Sequence, residues 1–416
     1  AAWRPRARRF CAGAGDKMLR GIVELNSHRF SKVSLEDLLR LQELTPQQRL
    51  SHLDQVLRIG ISKIILLLQD MPLGFSSTTP MRAVILDYVQ DLRDLDTCSP
   101  DHMESFQACT MRIFARHRDL ILQLERGIVE FQSGVKSTYK PFAGLGPTRC
   151  EDVSDSVPGM RRIGEALDEF FKMRATLRLL IAHCLELNGE AILPARYSQP
   201  ARAVDMETGG VNLPEVSRVG VVNLNTRPSM VLVEAFQHAQ LWCRQKFNRS
   251  VPLLVNDVPA LQYPASMTTE DEGTPYVDMH LYFVFFEVLK NAFQASLRHA
   301  GGELAGHGDV PPVYATMVSG ASPSDEETER IVKISDSGPG VPRDRVGKVW
   351  SYFYSTKDAK DRTSMSEPGY SAAGGAAERL PGGLGLGVSR VLTRYFGGEI
   401  KFHSIQRKGT DVYIYI

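Results

Sequence analysis

The sequence predicts an α+β protein, with a helical bundle in its first half and, in its second, a mixed sheet covered by helices on one face. Three observations carry that expectation. From Ser34 to about Gly189 apolar residues recur at helical spacing, with capping signals between the runs. Residues 191–214, which include Pro194, Pro200, Gly209 and Gly210, then break the pattern. Beyond them, short apolar runs bounded by turn residues stand between helical ones, the last being Val412-Tyr413-Ile414-Tyr415-Ile416. The expected divisions are a basic N-terminal segment over residues 1–30, a helical bundle over 31–190, a linker over 191–214 and a second domain over 215–416.

Composition sets broad limits. At 416 residues, 43% hydrophobic and 23% charged, the chain is long enough for two domains. A formal net charge of +1 offers no handle for nucleic acid or an anionic membrane. No apolar run reaches membrane-spanning length, since even the stretch from Ile64 to Leu68 lies between Lys63 and Asp70. Residues 1–15 carry Arg4, Arg6, Arg8 and Arg9 without an acidic residue, the composition of a mitochondrial transit segment or of a basic tail. The six cysteines form no Cys-x-x-Cys pair and no framework spacing, which suits a reducing or matrix-like compartment.

In the first half, Ser34 can cap a helix over residues 35–44. Thr45-Pro46-Gln47-Gln48 reads as a capping box with proline at the first helical position, and the helix it opens carries Leu50, Leu53, Leu57, Ile61 and Ile64 at core spacing. Thr79-Pro80 starts another, and two longer runs span roughly 100–132 and 160–187. Four or five such helices with short connections imply an up-and-down bundle. In the last run Arg174 and Arg178 lie one turn apart among Phe170, Phe171, Leu177 and Ile181. Either each pairs with a carboxylate on a neighbouring helix, or the two receive a small carboxylate, whose geometry the guanidinium fork suits.

In the second half a helix is expected over 227–247, a strand over 251–255, an acidic loop over 269–274 and a helix through 280–296. Strands are expected at 312–319, 329–335, 399–404 and 410–416. On the 280–296 helix, Leu281, Phe285, Val288, Ala292 and Ala295 form an apolar stripe, beside a polar one of His280, Glu287, Asn291 and Gln294. Glu287 and Asn291, one turn apart, are either a buried hydrogen-bonded couple or the chemical end of a nucleotide site. In the second case Glu287 accepts a proton and Asn291 offers its amide oxygen to magnesium. Downstream, an apolar strand runs into Asp336 and a tight turn through Gly338 and Gly340. An aspartate there can accept a hydrogen bond from the amine of adenine. Gly383-Leu384-Gly385-Leu386-Gly387 opens a helix continuing to Phe396, and glycines at a helix start leave backbone N–H groups open to phosphate. Residues 354–381, rich in Ser, Ala, Gly and charge, are read as a mobile loop, either an inert insertion or a lid over bound ATP.

The ordered set is more specific than its parts. Glu-x-x-x-Asn on a helix, Asp-x-Gly-x-Gly after a strand and Gly-x-Gly-x-Gly opening a helix resemble the ATP-binding α/β sandwich shared by gyrase, MutL and the histidine kinases. Within it, Phe286-Glu287-Val288-Leu289-Lys290-Asn291-Ala292, Tyr354-Ser355-Thr356, Ser389-Arg390 and Gly409-Thr410-Asp411 resemble the mitochondrial 2-oxo acid dehydrogenase kinases. Two upstream segments agree, Arg116-His117-Arg118-Asp119 and the run from Leu167 to Arg178, so the resemblance covers nearly the whole chain.

The resemblance implies an enzyme of the mitochondrial matrix that moves the ATP γ-phosphoryl group, with Mg2+, to a serine on the dehydrogenase α subunit and switches that complex off. Glu287 would be the base, Asn291 the magnesium ligand, Asp336 and Thr410 adenine contacts, and Gly383, Gly385 and Gly387 the phosphate cradle. Gly338, Gly340, Ser355, Thr356, Leu384 and Leu386 would complete the nucleotide site. His117, Arg174 and Arg178 would form an inhibitor pocket for small 2-oxo acids. A homodimer anchored to a lipoyl domain is implied too, with no nucleic acid partner and no membrane span. The favoured substrate is the pyruvate dehydrogenase complex; the alternatives are the branched-chain complex, a histidine autokinase, or a nucleotide-gated interaction protein.

Three departures stand against the pattern. Phe283 stands where those kinases carry a histidine thought to tune the glutamate, and Gln294 where they carry an arginine. The sequence as read stops at Ile416, where they continue in a tail, which leaves the mode of lipoyl-domain binding open.

Overall fold

The computed structural model describes residues 16–138, 159–190, 217–263, 273–300, 310–321, 328–355 and 383–416. The basic stretch 1–15, the linker 191–214, most of the 269–274 loop, the body of the 354–381 loop and Thr356 lie outside them. The chain divides into two compact units, one of residues 1–192 with 351–384, the other of 193–350 with 385–416.

The helices of the first unit are α1 (Asp16–Asn26), α2 (Leu35–Arg40), α3 (Pro46–Gln69), α4 (Thr79–Thr97), α5 (Met103–Arg116), α6 (Leu120–Thr138) and α7 (Met160–Leu187). Both expected caps form. The Ser34 hydroxyl accepts from the Asp37 N–H, and the Asp37 carboxylate accepts from the Ser34 N–H, each at 3.0 Å. These bonds hold the Asp37 carboxyl below its ordinary pKa, the one to the Ser34 backbone most. Thr45 and Gln48 make the same reciprocal pair at the start of α3, with Pro46 at the first position. Helix α2 ends sooner than expected, its last turn tightening into a 3-10 turn over Leu41–Glu43. Helix α1, inside the expected basic N-terminal segment 1–30, packs on α3.

Helix α3 lies between α4 and α7, and α5 bridges α4 and α7. Leu50, Leu53, Leu57, Ile61 and Ile64 are almost wholly removed from water there, as their spacing requires. The expected single run from 100 to 132 is broken by a 3-10 turn over His117–Asp119. The break falls where the His117 carbonyl accepts from Arg174 (3.2 Å) and its ring is held by Asp91. Residues 351–355 belong with this unit. The Tyr352 hydroxyl donates to Asp168 (2.6 Å), the Gln132 amide donates to the Phe353 carbonyl (2.8 Å), and the Phe353 ring packs against Phe75 and Phe131.

The second unit holds two sheets. The smaller, of β1 (Arg218–Val219), β2 (Val222–Thr226) and β5 (Thr274–Tyr276), was not legible in the sequence pattern. The larger has six strands in the order β4-β3-β6-β7-β9-β8, namely Val258–Pro259, Leu253–Val255, Val313–Ala321, Thr328–Asp336, Gly409–Tyr415 and Glu399–Ile405. Only β3 and β6 of this sheet pair in parallel, so it is mixed. Helices α9 (Asp278–His299) and α11 (Gly385–Tyr395) pack on it and α8 (Pro228–Phe247) packs along α9, while α10 (Arg343–Val346) is a single turn near β8. Ala315, Val332, Ile334, Ile400, Val412 and Ile414, alternate residues of their strands, are buried. No helix among the described residues is long and apolar enough to cross a membrane.

Candidate nucleotide and inhibitor sites

Helix α9 is the centre of the second unit. Its first residue, Asp278, is anchored from the small sheet by Arg218 and by the Asn223 amide (3.3 Å). Burial raises the Asp278 pKa, and Arg218 opposes that shift. The helix is buried almost all round from Asp278 to Lys290, rather than on one stripe. His280 is buried against Tyr395 and Phe396, which pushes it down to about 4, so the imidazole is neutral.

Glu287 is buried, and its Oε1 accepts from Lys290 Nζ at 2.8 Å; each side chain is 4% exposed. Lys290 also stands over the rings of Phe286 (5.3 Å) and Trp242 (5.6 Å), whose π faces attract its charge. Sequence reasoning missed this partner. The available signal was the i,i+3 spacing of acid and base, which ordinarily marks a solvated surface pair. Phe283, in the place of the expected histidine, is buried.

The other carboxylate oxygen faces the glycine loop. A Cβ built on Gly385, the first residue of α11, would lie 1.9 Å from Glu287 Oε2, so only glycine lets the helix start this close to the carboxylate. Gly385 and Gly387 are buried and Leu386 is half-buried. Gly383 and Leu384 directly precede the helix in sequence and, like Ser355, are grouped with the first unit.

Asp336 ends β7, where its Oδ1 accepts from the Gly338 N–H at 2.8 Å. Burial pushes its carboxyl up to about 6, against the bonds from Gly338 and Thr410. Thr410 sits across from it in the β7–β9 register and shares a hydrogen bond with Ser404 at 2.9 Å. Gly338 packs on α9, since a Cβ there would meet the Ala295 Cβ at 2.5 Å; Gly340 turns the chain at φ +63°. Ala295 is one turn beyond Asn291, so Glu287, Asn291 and the Asp336 turn follow one another along α9. Asn291 is exposed, one turn from Glu287. No group of three His, Cys, Asp or Glu side chains gathers to hold a metal among the described residues. A single amide oxygen suits a magnesium ion whose other ligands are phosphate and water.

In the first unit a small cleft lies among α3, α4, α5 and α7. Its lining includes His117, Arg174 and Arg178 as well as Leu57, Tyr88 and Asp91. Arg174 donates to the His117 carbonyl (3.2 Å), and Arg178 donates to the Phe114 carbonyl (3.1 Å) while lying 4.0 Å over the Phe114 ring. Asp91, fully buried and not foreseen, engages His117 Nε2 at 2.5 Å and pairs with Arg116. The Asp91 charge is therefore already met from α5 and from the turn that follows it. The two arginines of α7 bring further positive charge to the lining.

Residues 32–204 match the family described as mitochondrial branched-chain alpha-ketoacid dehydrogenase kinase, and residues 277–416 match that of the histidine kinase-, DNA gyrase B- and HSP90-like ATPases. The chain is 27% identical over 366 residues to rat [pyruvate dehydrogenase (acetyl-transferring)] kinase isozyme 1, mitochondrial, covering 86% of this chain and 69% of that protein. It is 25% identical over 425 residues to human isozyme 4, covering 99% and 88%. The mitochondrial kinase of Drosophila melanogaster is also 25% identical, over 86% of this chain and 73% of its own length. With an ATPase-type sheet, a carboxylate set against a glycine-opened helix, and kinase relatives over most of its length, the chain is a protein kinase similar to the mitochondrial 2-oxo acid dehydrogenase kinases.

Proposed function

We propose that the protein transfers the ATP γ-phosphoryl group to a serine of the dehydrogenase α subunit in a mitochondrial 2-oxo acid dehydrogenase complex, with the pyruvate complex as the favoured substrate. The observation that carries this reading is the Glu287 carboxylate, held on one oxygen by Lys290 and set on the other against the start of α11. In this reading Glu287 takes the proton of the serine hydroxyl as the Oγ–P bond forms and ADP leaves. Lys290 orients it, the role expected of the histidine that Phe283 replaces. Asp336 and Thr410 receive adenine, and the backbone N–H groups from Gly383 to Gly387 receive the phosphates. Asn291 would hold magnesium, whose charge offsets that of the phosphate oxygens when it is bound. The test is phosphorylation of purified pyruvate and branched-chain complexes side by side; label on neither, with nucleotide bound, would leave a nucleotide-gated binding protein. The helical half matches the branched-chain family, and transfer to that complex alone would select that substrate. Acid-labile label on the chain itself would indicate a histidine autokinase instead.

Two expected results follow from this reading. Asn291→Ala should weaken ATP binding only when magnesium is present, because it removes the amide oxygen and leaves the base in place. Titration of ATP by calorimetry with and without the ion checks this, and equal losses in both would remove Asn291 as a ligand. In the bundle cleft, a short 2-oxo acid or a halogenated analogue should inhibit noncompetitively with ATP, since Arg174 and Arg178 offer planar donors to a carboxylate. Arg178→Ala should abolish that inhibition, and inhibition curves unchanged in the variant would place the inhibitor elsewhere.

A further inference from the structure

A lysine inside a helix ordinarily uses its long stem to carry the ammonium out to water, yet Lys290 stays buried beside Glu287. Phe283, one turn before the base, brings that carboxylate no hydrogen-bonding group. The Phe286 ring lies one turn before Lys290, as helix spacing alone provides. The Trp242 indole comes from a different element, α8, which packs along α9. Trp242 is buried, and its ring centroid lies 5.6 Å from Lys290 Nζ, with that of Phe286 at 5.3 Å. Both are within reach of the attraction between a cation and a ring face, which is strongest for tryptophan and grows as water is excluded. An edge-on contact with Phe247, at 5.6 Å and 81°, braces the indole. Lys246 also stands 5.6 Å from this ring, but it is exposed, where the attraction is weaker.

We propose that Trp242 is a positioning residue for phosphoryl transfer: its indole face holds the Lys290 ammonium against Glu287 and so fixes the direction of the base. This role rests on the reading of Glu287 as the base. A ring face suits the task better than a second carboxylate. A carboxylate in the place of the indole would compete for the Lys290 N–H groups and draw them from Glu287. The ring attracts the charge and leaves the 2.8 Å bond to Glu287 Oε1 intact. With Oε1 held in this way, Oε2 stays directed at the start of α11, where Gly385 comes close. Without the indole, Lys290 gains other rotamers and Glu287 turns with it. Trp242 acts through Lys290, so its effect falls on the rate of transfer. Nucleotide binding, which uses Asp336, Thr410 and the N–H groups that open α11, is left as it was.

The test uses the full chain in two arms. In the first, mono-, di-, tri- and tetrafluorotryptophan are placed at position 242 alone by nonsense suppression. Fluorine drains charge from the ring face in steps and scarcely alters its shape, so packing is kept. Initial rates with purified dehydrogenase complex should fall with each fluorine, to a kcat about 10-fold lower with the tetrafluoro ring, at an unchanged KM for ATP. In Lys290→Met the same series should be flat, because the cation is gone. A flat series in the chain that keeps Lys290, or a fall that persists in Lys290→Met, overturns the proposal. The second arm needs no acceptor. With 15N-labelled lysine, the ammonium signal that Lys290→Met deletes should move downfield in Trp242→Leu, because the ring current that shields it is lost. An unmoved signal overturns the proposal whatever the rates. A signal that moves in a chain that labels neither complex would overturn the transfer reading and leave the hold of Trp242 on Lys290 standing.

Discussion

Glu287→Gln is expected to lower phosphate transfer by about 100- to 10,000-fold, the usual contribution of a general base, while ATP still binds. Glutamine matches the size of the side chain and can still accept from Lys290 Nζ, yet it cannot take the serine proton. The substitution also leaves Lys290 buried without its counter-charge, and breaking a buried pair costs about 3–5 kcal/mol. A lower melting temperature is therefore expected alongside the lost activity. The double variant Glu287→Gln, Lys290→Met separates the two effects. Methionine removes the orphaned ammonium and still packs against Phe286 and Trp242, so stability should return while transfer stays low. Initial rates with purified complex and thermal melts of both variants decide it. More than a tenth of the native rate in either would remove Glu287 from the mechanism.

Gly385→Ala is expected to lower kcat by about 100-fold, the scale of a catalytic group displaced by roughly 1 Å. The added methyl would sit 1.9 Å from Glu287 Oε2, so the carboxylate must move. It is not free to move easily, because Oε1 is held by Lys290. Helix propensity works the other way, since alanine is favoured over glycine in a helix by about 1 kcal/mol. A folded variant with normal stability and a depressed rate would thus report on the base rather than on the helix. A rate within a factor of about three of native, outside the range a displaced base should give, would show that the loop can yield without disturbing Glu287.

The nucleotide half was legible to different depths. Glu287, Asn291, Asp336, Gly338 and the glycine run stood out because each sits at a fixed local spacing on a helix or at a strand end. The glycines in particular record close approaches that a Cβ forbids. The role of Gly385 was readable only as phosphate contact; its contact with Glu287 joins residues almost a hundred positions apart, and periodicity carries no record of such a neighbour.

What the sequence determined by itself is local. The capping boxes at Ser34 and Thr45, the starts of α3, α8 and α11, the alternation in β7 and β9, and the family wording around Glu287 all depend on neighbours within a few positions. The hydrogen bonds and side-chain faces there follow from helix and strand geometry alone. Tertiary structure decided the rest: the Lys290 bond that stays dry because α8 brings Trp242 over it, the Asp91 carboxylate beneath His117, and the docking of Tyr352 on Asp168. In each of these the same residue types could equally have been solvated surface groups. Burial determines which of them must find a partner, because a polar group taken out of water is costly unless it is satisfied. That burial is set by how distant segments pack.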